Sequence, residues 1–350
     1  MEANLPYDCA LMNESWTAVF VAAAMAFAMA VVLTPAFRAL ARKVGLLDRP
    51  NQRSSHRTVV PRGGGAAIVC AVLAALAFMP SSPGGWAAVV PLVAGGLALA
   101  IVGLCDDRFG LAAGVRFGVQ LAVAIGVVFA LGGVERLPLP ASLDRAAGVW
   151  GAPLAVVWIV AVVNFFNFID GIDGLAAAQT VITATGILLA AWDPAAALVA
   201  AALAGAAAGF LPFNWSPASV FLGDVGSYFM GYTLAALPLM APPASRSAAV
   251  LFVALSLWLF LADAAWTLFR RARRGERFFE AHRQHLYQEL ALRWGHARVT
   301  MAIVTGSTLL TAAALAGWWS GSAAWSWAAV GLAMVLFGGE WVAARRGRTA

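Results

Sequence analysis

Apolar runs long enough to cross a bilayer fill most of this 350-residue chain and constrain its fold more than any other feature. Hydrophobic residues make up 62% of the sequence and charged residues 11%, whereas a soluble domain carries about 25% charged residues. Such runs fold as helices, because backbone polar groups must be hydrogen bonded within hydrocarbon. The sequence therefore predicts an all-α, polytopic membrane protein, and residues 1–350 are expected to form one integral membrane domain.

Eleven of these runs have roughly the 17 to 25 residues that a membrane-spanning helix requires. Two of the runs are short, and the sixth and seventh are separated only by Trp192-Asp-Pro194. The sequence thus predicts about eleven spanning helices, with ten as the alternative. The runs lie near residues 16–37, 64–80, 86–104, 115–133, 149–168, 174–192, 194–212, 225–241, 247–269, 300–318 and 322–343.

The basic residues divide the predicted loops into two sets. Of 23 Lys and Arg, 20 fall in the set that includes the C-terminal tail, and the other set holds Arg136, Arg145 and Arg246. Short cytoplasmic loops are enriched in Lys and Arg, so the first set is predicted to be cytoplasmic and the N-terminus to lie outside. The net charge of +6 thus reflects orientation in a membrane, and we expect no nucleic acid partner.

Every polar motif falls in a predicted cytoplasmic loop. The longest motif starts at Asn164, reads Asn-Phe-Phe-Asn-Phe-Ile-Asp-Gly-Ile-Asp-Gly, and places Asn167, Asp170 and Asp173 between two apolar runs. Carboxylates at a membrane edge are costly and are functional candidates by default. If this segment is helical, the two Asp share a face, and if it is a turn, its two Gly allow the necessary backbone.

Further acids lie in or beside other apolar runs. Asp106 and Asp107 end the third run, where paired carboxylates are expected to coordinate a cation or to take up a proton. Asp224 begins the eighth run between Gly223 and a second Gly, and is either a simple N-cap or part of a helix start that binds phosphate. Asp263, inside the ninth run, is expected to pair with an Arg.

Basic side chains accompany these acids. Arg62 precedes three Gly, and His282, Arg283 and His285 lie in an Arg-rich loop whose imidazole and guanidinium groups suit a phosphate or diphosphate. Carboxylates that can hold Mg²⁺, together with basic groups, indicate phosphoryl-type transfer from a diphosphate-bearing substrate. Their place at the membrane edge indicates that the second substrate is a lipid. The alternative from another class is a cation-coupled transporter, but transporters hold their site acids near the bilayer midplane.

Taken in order, the motifs resemble those of the polyprenyl-phosphate N-acetylhexosamine-1-phosphate transferases. The resemblance rests on Asp106-Asp107, the stretch from Asn164 to Ala176, Phe221-Leu-Gly-Asp-Val-Gly-Ser and the His loop, and covers roughly residues 38–298. It implies a bundle of ten or eleven membrane helices in the inner membrane, with the catalytic loops on the cytoplasmic face.

The resemblance also implies the reaction and the partners. A sugar 1-phosphate passes from a UDP-N-acetylhexosamine to undecaprenyl phosphate, a membrane lipid, and UMP is released. Mg²⁺ is the implied cofactor, with Mn²⁺ as an alternative, and a homodimer is left open.

Residue roles are carried over from the family by position. The implied catalytic acids are Asp106, Asp107, Asp170 and Asp173, and the implied metal ligands are Asp224 and Asp107. The implied substrate-binding residues are Asn164, Asn167, Gly223, His282, Arg283, His285 and Arg62.

Two departures from the family pattern bear on the sugar. Enzymes that transfer phospho-MurNAc-pentapeptide carry a Lys three residues after the second Asp, where this chain has Gly110, and consecutive His where this loop reads His-Arg-Gln-His. The loop is more similar to that of transferases that initiate O-antigen or other surface polysaccharides. The expected donor is thus UDP-GlcNAc or a deoxy-N-acetylhexosamine nucleotide, with pentapeptide transfer as the alternative.

Overall fold

The computed structural model describes residues 9–49, 58–79, 85–143, 145–276 and 283–345, with side chains from Trp16 onward. Nearly all regular structure in these residues is helical, in agreement with the predicted all-α, polytopic membrane protein. In the described part of the chain, the single strand pair is antiparallel and joins β1 (Leu47–Asp48) to β2 (Val60–Pro61). This pairing fixes the segment that enters the second helix.

Every one of the eleven predicted apolar runs coincides with a helix or with two adjoining helices. In chain order, the helices of the described residues are α1 Cys9–Lys43, α2 Gly65–Ala77, α3 Val89–Phe109, α4 Ala113–Leu131, α5 Gly151–Ile169, α6 Leu175–Ala190, α7 Pro194–Asn214, α8 Asp224–Ala236, α9 Arg246–Ser256, α10 Trp258–Arg273, α11 Leu286–Trp294, α12 His296–Ser320 and α13 Ala323–Arg345.

Fewer of these helices have the length of a membrane span than the sequence predicted. Seven described helical stretches are long and apolar enough to cross a membrane, and α9 with α10, bent by 76°, would make an eighth. Helices α2, α6 and α8 have 13, 16 and 13 residues. Such helices extend only about 20 to 24 Å, against a hydrocarbon core of roughly 30 Å. The count of about eleven crossings is not confirmed and stays a prediction.

Helix α8 lies at the centre of the site-bearing part of the bundle. It is almost completely buried, and it packs against α2, α3 and α5. A Cβ added to Gly103 of α3 would lie 2.4 Å from the backbone oxygen of Asp224, and one added to Gly65 of α2 would lie 2.3 Å from the Cα of Gly226. Lipid tails provide no hydrophobic force between helices, so close backbone packing of this kind drives their association.

The predicted site acids meet at one end of the bundle, which we call the acid end. Asp106 and Asp107 lie at the C-terminal end of α3, Asp170 follows α5, and Asp224 begins α8. Helix α8 runs back from this end, between the helices that bring the other acids to it. The topology therefore brings together acids that are more than 100 residues apart in the sequence.

We expect Gly103→Ala to push α3 away from α8 and to destabilise the bundle, because overpacking costs roughly 1–3 kcal/mol. The melting temperature in detergent, followed by size-exclusion chromatography after heating, should fall by about 3 °C or more. Gly118→Ala in α4 is the matched control, since no atom of the described residues, apart from the backbone of α4 itself, lies within 4 Å of a Cβ at that position. Equal melting temperatures for the two variants would contradict the α3–α8 packing described above.

Candidate active site

The Asp107 carboxylate joins three separate parts of the acid end. Its Oδ1 lies 2.7 Å from Nε of Arg62 and accepts a hydrogen bond of 3.0 Å from the backbone N–H of Asp224. Its Oδ2 accepts a hydrogen bond of 3.2 Å from the N–H of Val225. The first N–H groups of a helix have no partner within the helix and carry the positive end of its dipole, and both features favour a carboxylate there. The side chain of Asp107 is 0% exposed, and its carboxylate connects α3 to α8 and to the segment before α2.

Gly223 permits this close approach. Its φ is +77°, which only Gly adopts readily, and a Cβ there would lie 2.4 Å from Oδ2 of Asp107. The sequence predicted that Gly223 and the start of α8 approach a phosphate. In the structure, the anion at this helix start is the protein's own Asp107. Asp224 is the first residue of α8 and not its N-cap.

Arg62 lies between two of the acids. Besides its contact with Asp107, its Nη2 donates a hydrogen bond of 3.1 Å to Oδ1 of Asp224. The two residues after Gly63 donate backbone hydrogen bonds of 2.9 and 2.8 Å to the segment before α8, which fixes the position of Arg62. Burial alone would lower the pKa of Arg62, but Asp107 and Asp224 raise it above its usual value. The side chain is 35% exposed, so this permanent cation stays within reach of a ligand.

Asp224 lies at the centre of the acids. Its Oδ1 also accepts a hydrogen bond of 3.0 Å from Nδ2 of Asn167, which is 2.9 Å from Oγ of Ser227. Burial raises the pKa of Asp224 to about 7, and the charge of Arg62 opposes this shift. Burial and then the charge of Asp224 raise the pKa of Asp170 well above its usual range. Acids that are shifted in this way, in one cluster, are typical of functional sites.

Asp106 is held by a residue that the sequence analysis did not single out. Nη1 of Arg116, in α4, lies 2.6 Å from Oδ2 of Asp106, and the N–H of Leu111 donates a 2.7 Å hydrogen bond to Oδ1. The Tyr228 hydroxyl lies 3.5 Å from the same carboxylate. The guanidinium of Arg116 is accessible, with 31% of its side chain exposed. An Arg at the start of a predicted membrane helix is the sequence signal that could have identified it.

Two predicted residues lie apart from these acids. Asn164 donates through Nδ2 to Oε1 of Gln120 at 2.6 Å, in the contact between α5 and α4. Asp173 lies beyond the turn that follows α5, with Oδ1 3.3 Å from Nδ1 of His296 and Oδ2 accepting from the N–H of Ala218. Burial raises the pKa of Asp173, but its hydrogen bond and charge interaction with His296 outweigh this and lower the pKa. Because α5 ends at Ile169, Asp170 and Asp173 do not share a helix face.

The His loop is described only in part, and His282 lies outside the described residues. Arg283 begins the described part, and His285 is buried with Nδ1 3.3 Å from Oδ1 of Asp263. Asp263 also accepts hydrogen bonds of 3.0 Å from each of the first two N–H groups of α11. The prediction that Asp263 pairs with an Arg is therefore wrong. Its carboxylate instead contacts His285 and accepts hydrogen bonds from the N-terminus of α11, whose first N–H groups require an acceptor.

Asp106, Asp107, Asp170 and Asp224 together form what we call the acid cluster. Among the described residues, no three His, Cys, Asp or Glu side chains form a ready metal cage. The oxygens of Asp106 and Asp107 are bound by Arg and backbone N–H groups, whereas Asp170 accepts no hydrogen bond within the described part of the chain. Mg²⁺ usually binds through one or two carboxylates plus substrate phosphates, and the available oxygen donors fit that mode.

The region that carries the cluster matches a known family. Residues 89–241, which contain α3 to α8 and all four acids, match the model described as "Glycosyl transferase family 4". A decaprenyl-phosphate N-acetylglucosaminephosphotransferase from Mycobacterium leprae is 33% identical over 310 residues, covering 75% of each chain. The chain belongs to the polyprenyl-phosphate sugar-phosphate transferase family.

Other relatives carry related names. A Bacillus subtilis protein, "Probable undecaprenyl-phosphate N-acetylglucosaminyl 1-phosphate transferase", is 29% identical over 285 residues, covering 80% of this chain and 79% of the relative. A phospho-N-acetylmuramoyl-pentapeptide-transferase from Heliobacterium modesticaldum is 31% identical over 305 residues, covering 80% of this chain and 90% of the relative. This chain is thus a membrane transferase whose relatives differ in the sugar that they are named for.

The role of Asp107 is tested by Asp107→Asn, which leaves Arg62 without its buried partner and turns an amide toward backbone N–H groups. Removing one partner of a buried pair costs about 3–5 kcal/mol, and the partial exposure of Arg62 reduces that to roughly 2 kcal/mol. We expect the melting temperature to fall by about 4 °C or more. Asp193→Asn is the control, because Asp193 caps α7 through the N–H of Ala196 and Asn caps equally well. The same melting temperature for both variants would show that Asp107 does not hold α8.

Proposed function

We propose that this transferase moves an N-acetylhexosamine 1-phosphate from a UDP-sugar to undecaprenyl phosphate at the acid cluster and releases UMP. The observation that carries the proposal is the buried cluster itself, which combines free carboxylate oxygens with two reachable Arg at one end of apolar helices. An anionic nucleotide and a lipid phosphate both require such a combination. The Bacillus subtilis and Mycobacterium leprae relatives, named for N-acetylglucosamine, support UDP-GlcNAc as the donor.

The sequence favours this donor over the phospho-MurNAc-pentapeptide nucleotide. A relative named for pentapeptide transfer matches the chain about as well, so identity alone does not separate the two. The family's pentapeptide transferases carry a Lys where this chain has Gly110, and Gly cannot supply a cation there. The form of the His loop supports a role in starting O-antigen or another surface polysaccharide.

The proposed site faces the cytoplasm from the inner membrane. The support is the charge distribution, since 20 of 23 Lys and Arg lie in loops and tails at the same predicted side as the acid cluster. The described Arg246, in the opposite set, instead binds the backbone oxygens of Ala241 and Gly133. A transporter is less well supported, because the acids lie at helix ends and not at the centre of broken helices.

The proposed reaction assigns separate tasks to the chain's own side chains. Arg116 binds the acceptor phosphate, because a guanidinium pairs with two phosphate oxygens at once. Asp106, next to that guanidinium, takes the proton from the attacking oxygen. This oxygen bonds to the β-phosphorus of the donor, the bond from that phosphorus to the oxygen bridging to the α-phosphate breaks, and the bridging oxygen leaves with UMP. Arg62 stabilises the negative charge that develops on the leaving phosphate.

Asp224 and Asp170 are the residues proposed to hold Mg²⁺, with Mn²⁺ as the alternative ion. Bound there, the ion would neutralise phosphate charge. The family resemblance implies Asp107 as the second ligand, but both of its oxygens are engaged by Arg62 and the N-terminus of α8. Asp170 takes its place in the proposal.

The reaction is tested with purified protein, undecaprenyl phosphate, Mg²⁺ and UDP-GlcNAc radiolabelled in the sugar. Label should enter organic-extractable lipid while UMP is released, and other UDP-N-acetylhexosamines in the same assay should rank the donors. Asp224→Asn should lower the rate by about 100-fold or more, because metal-assisted charge stabilisation contributes several kcal/mol. Asp193→Asn is again the control. Near-wild-type activity of Asp224→Asn at saturating Mg²⁺ would contradict the metal assignment, and uptake of label without lipid product would favour the transporter.

Arg116→Gln should weaken binding of the acceptor, undecaprenyl phosphate, more than binding of the donor, the UDP-sugar. A hydrogen bond to a charged group contributes about 1.5–3 kcal/mol, so the KM for undecaprenyl phosphate should rise by about tenfold or more. The KM for the UDP-sugar should change by less than about threefold. Arg42→Gln, at the exposed end of α1, removes an equal charge elsewhere and should change neither value. Equal increases in both KM values for Arg116→Gln would contradict its place at the acceptor phosphate.

A further inference from the structure

A buried hydrogen-bond network fixes the start of α11 to α10. Asp263, 1% exposed, accepts from the N–H groups of Leu286 and Tyr287 and from the hydroxyl of Thr267 at 3.1 Å. About two turns of α10 after Asp263, Arg270 donates to the backbone oxygen of Gln284. The beginning of α11 therefore cannot shift along α10 without breaking several buried hydrogen bonds.

Tyr287 extends this network to the turn that carries Asp170. Its side chain is fully buried, and its hydroxyl donates a 3.0 Å hydrogen bond to the backbone oxygen of Phe168, in the last turn of α5. On the other side of Asp170, Gly171 approaches so closely that a Cβ would lie 2.1 Å from the Tyr287 hydroxyl. The phenol thus contacts the residues two before and one after Asp170.

We infer that Tyr287 is a positioning residue, whose hydroxyl holds the segment from Phe168 to Gly171 so that Asp170 keeps its place in the acid cluster. This inference rests on the proposed function, in which both acids hold the metal. Asp170 and Gly171 lie beyond the end of α5 at Ile169, so the regular hydrogen bonds of the helix do not fix them. A capped helix that bears a rigid aromatic ring supplies the missing constraint.

The inference is tested by Tyr287→Phe, with Tyr232→Phe as the matched control. Tyr232 is also fully buried, but its hydroxyl has no hydrogen-bond partner among the described residues. Tyr287→Phe should lower kcat by about five- to tenfold, since the backbone oxygen of Phe168 loses a hydrogen bond and the segment that carries Asp170 is no longer held in place. KM for donor and acceptor should change by less than about twofold, and Tyr232→Phe should match the wild type in kcat and KM. Equal kcat values for the two variants would overturn the inference.

A rescue experiment separates positioning from a general loss of structure. Gly171→Ala places a Cβ 2.1 Å from the Tyr287 hydroxyl, whereas the next nearest atoms lie at 3.1 Å. Gly171→Ala alone should therefore be slower than Tyr287→Phe, and the double variant should recover to the kcat of Tyr287→Phe. A double variant as slow as Gly171→Ala would contradict the geometry. If the wild type forms no lipid product in the same assay, the proposed function fails, whereas a wild-type kcat for Tyr287→Phe removes only the role of Tyr287.

Discussion

The contact between Asp107 and the N-terminus of α8 is the interaction on which the rest of the acid end depends. In a poorly hydrated setting, unpaired N–H groups and an unpaired carboxylate are each costly, and here each satisfies the other. Arg62 balances the remaining charge and ties in the segment before α2. Because α8 begins at this contact, the contact also sets the position of Asp224. A residue of the expected catalytic pair thus serves as the support for its neighbours.

Charge balance in the cluster supports the proposal that a cation binds at the site. Four carboxylates face two Arg, and burial raises the pKa of Asp224 to about 7 although the charge of Arg62 opposes this shift. Both proposed substrates are anions, so an unneutralised cluster would repel them. Asp170 accepts no hydrogen bond from the described residues, and Arg62 and Asn167 both bond to the same oxygen of Asp224, Oδ1. Both oxygens of Asp106 and both oxygens of Asp107 are engaged. In the proposal, Asp107 holds the protein together, Asp106 takes the proton from the attacking oxygen, and Asp170 and Asp224 hold the metal.

The sequence predicted the helices well because apolar runs in a membrane have few other ways to fold. The sequence also predicted that the site acids lie at the same end of the bundle, since their motifs lie where apolar runs start or stop. The sequence did not predict which partner each acid binds. Asp106 and Asp107 are adjacent, yet helical geometry directs one side chain toward Arg116 and the other toward α8. Gly223 correctly indicated a close approach, but the partner was a side chain more than 100 residues away.

Other differences have equally local causes. The sequence left open whether Asp170 and Asp173 share a helix face or lie in a turn, and the structure shows a turn because α5 ends at Ile169. No Pro or Gly marks the bend between α9 and α10 in the sequence, so residues 247–269 are predicted as one uninterrupted span. The sequence predicts an Arg partner for Asp263 because α11, the helix that Asp263 caps, is too short to be recognised from an apolar pattern. Short helices such as α2 and α6 leave the number of crossings as a prediction.

Transfer of phosphorus together with the sugar distinguishes this proposed chemistry from transfer of the sugar alone. The most direct measurement uses UDP-GlcNAc with radioactive phosphorus at either the α or the β position, together with undecaprenyl phosphate and the purified protein. We predict that the β-phosphorus appears in the lipid product, in equal amount to the sugar, and that the α-phosphorus appears in UMP. Sugar in the lipid with both phosphorus labels left in UDP, or no lipid product from either label, would contradict the proposed reaction at the acid cluster.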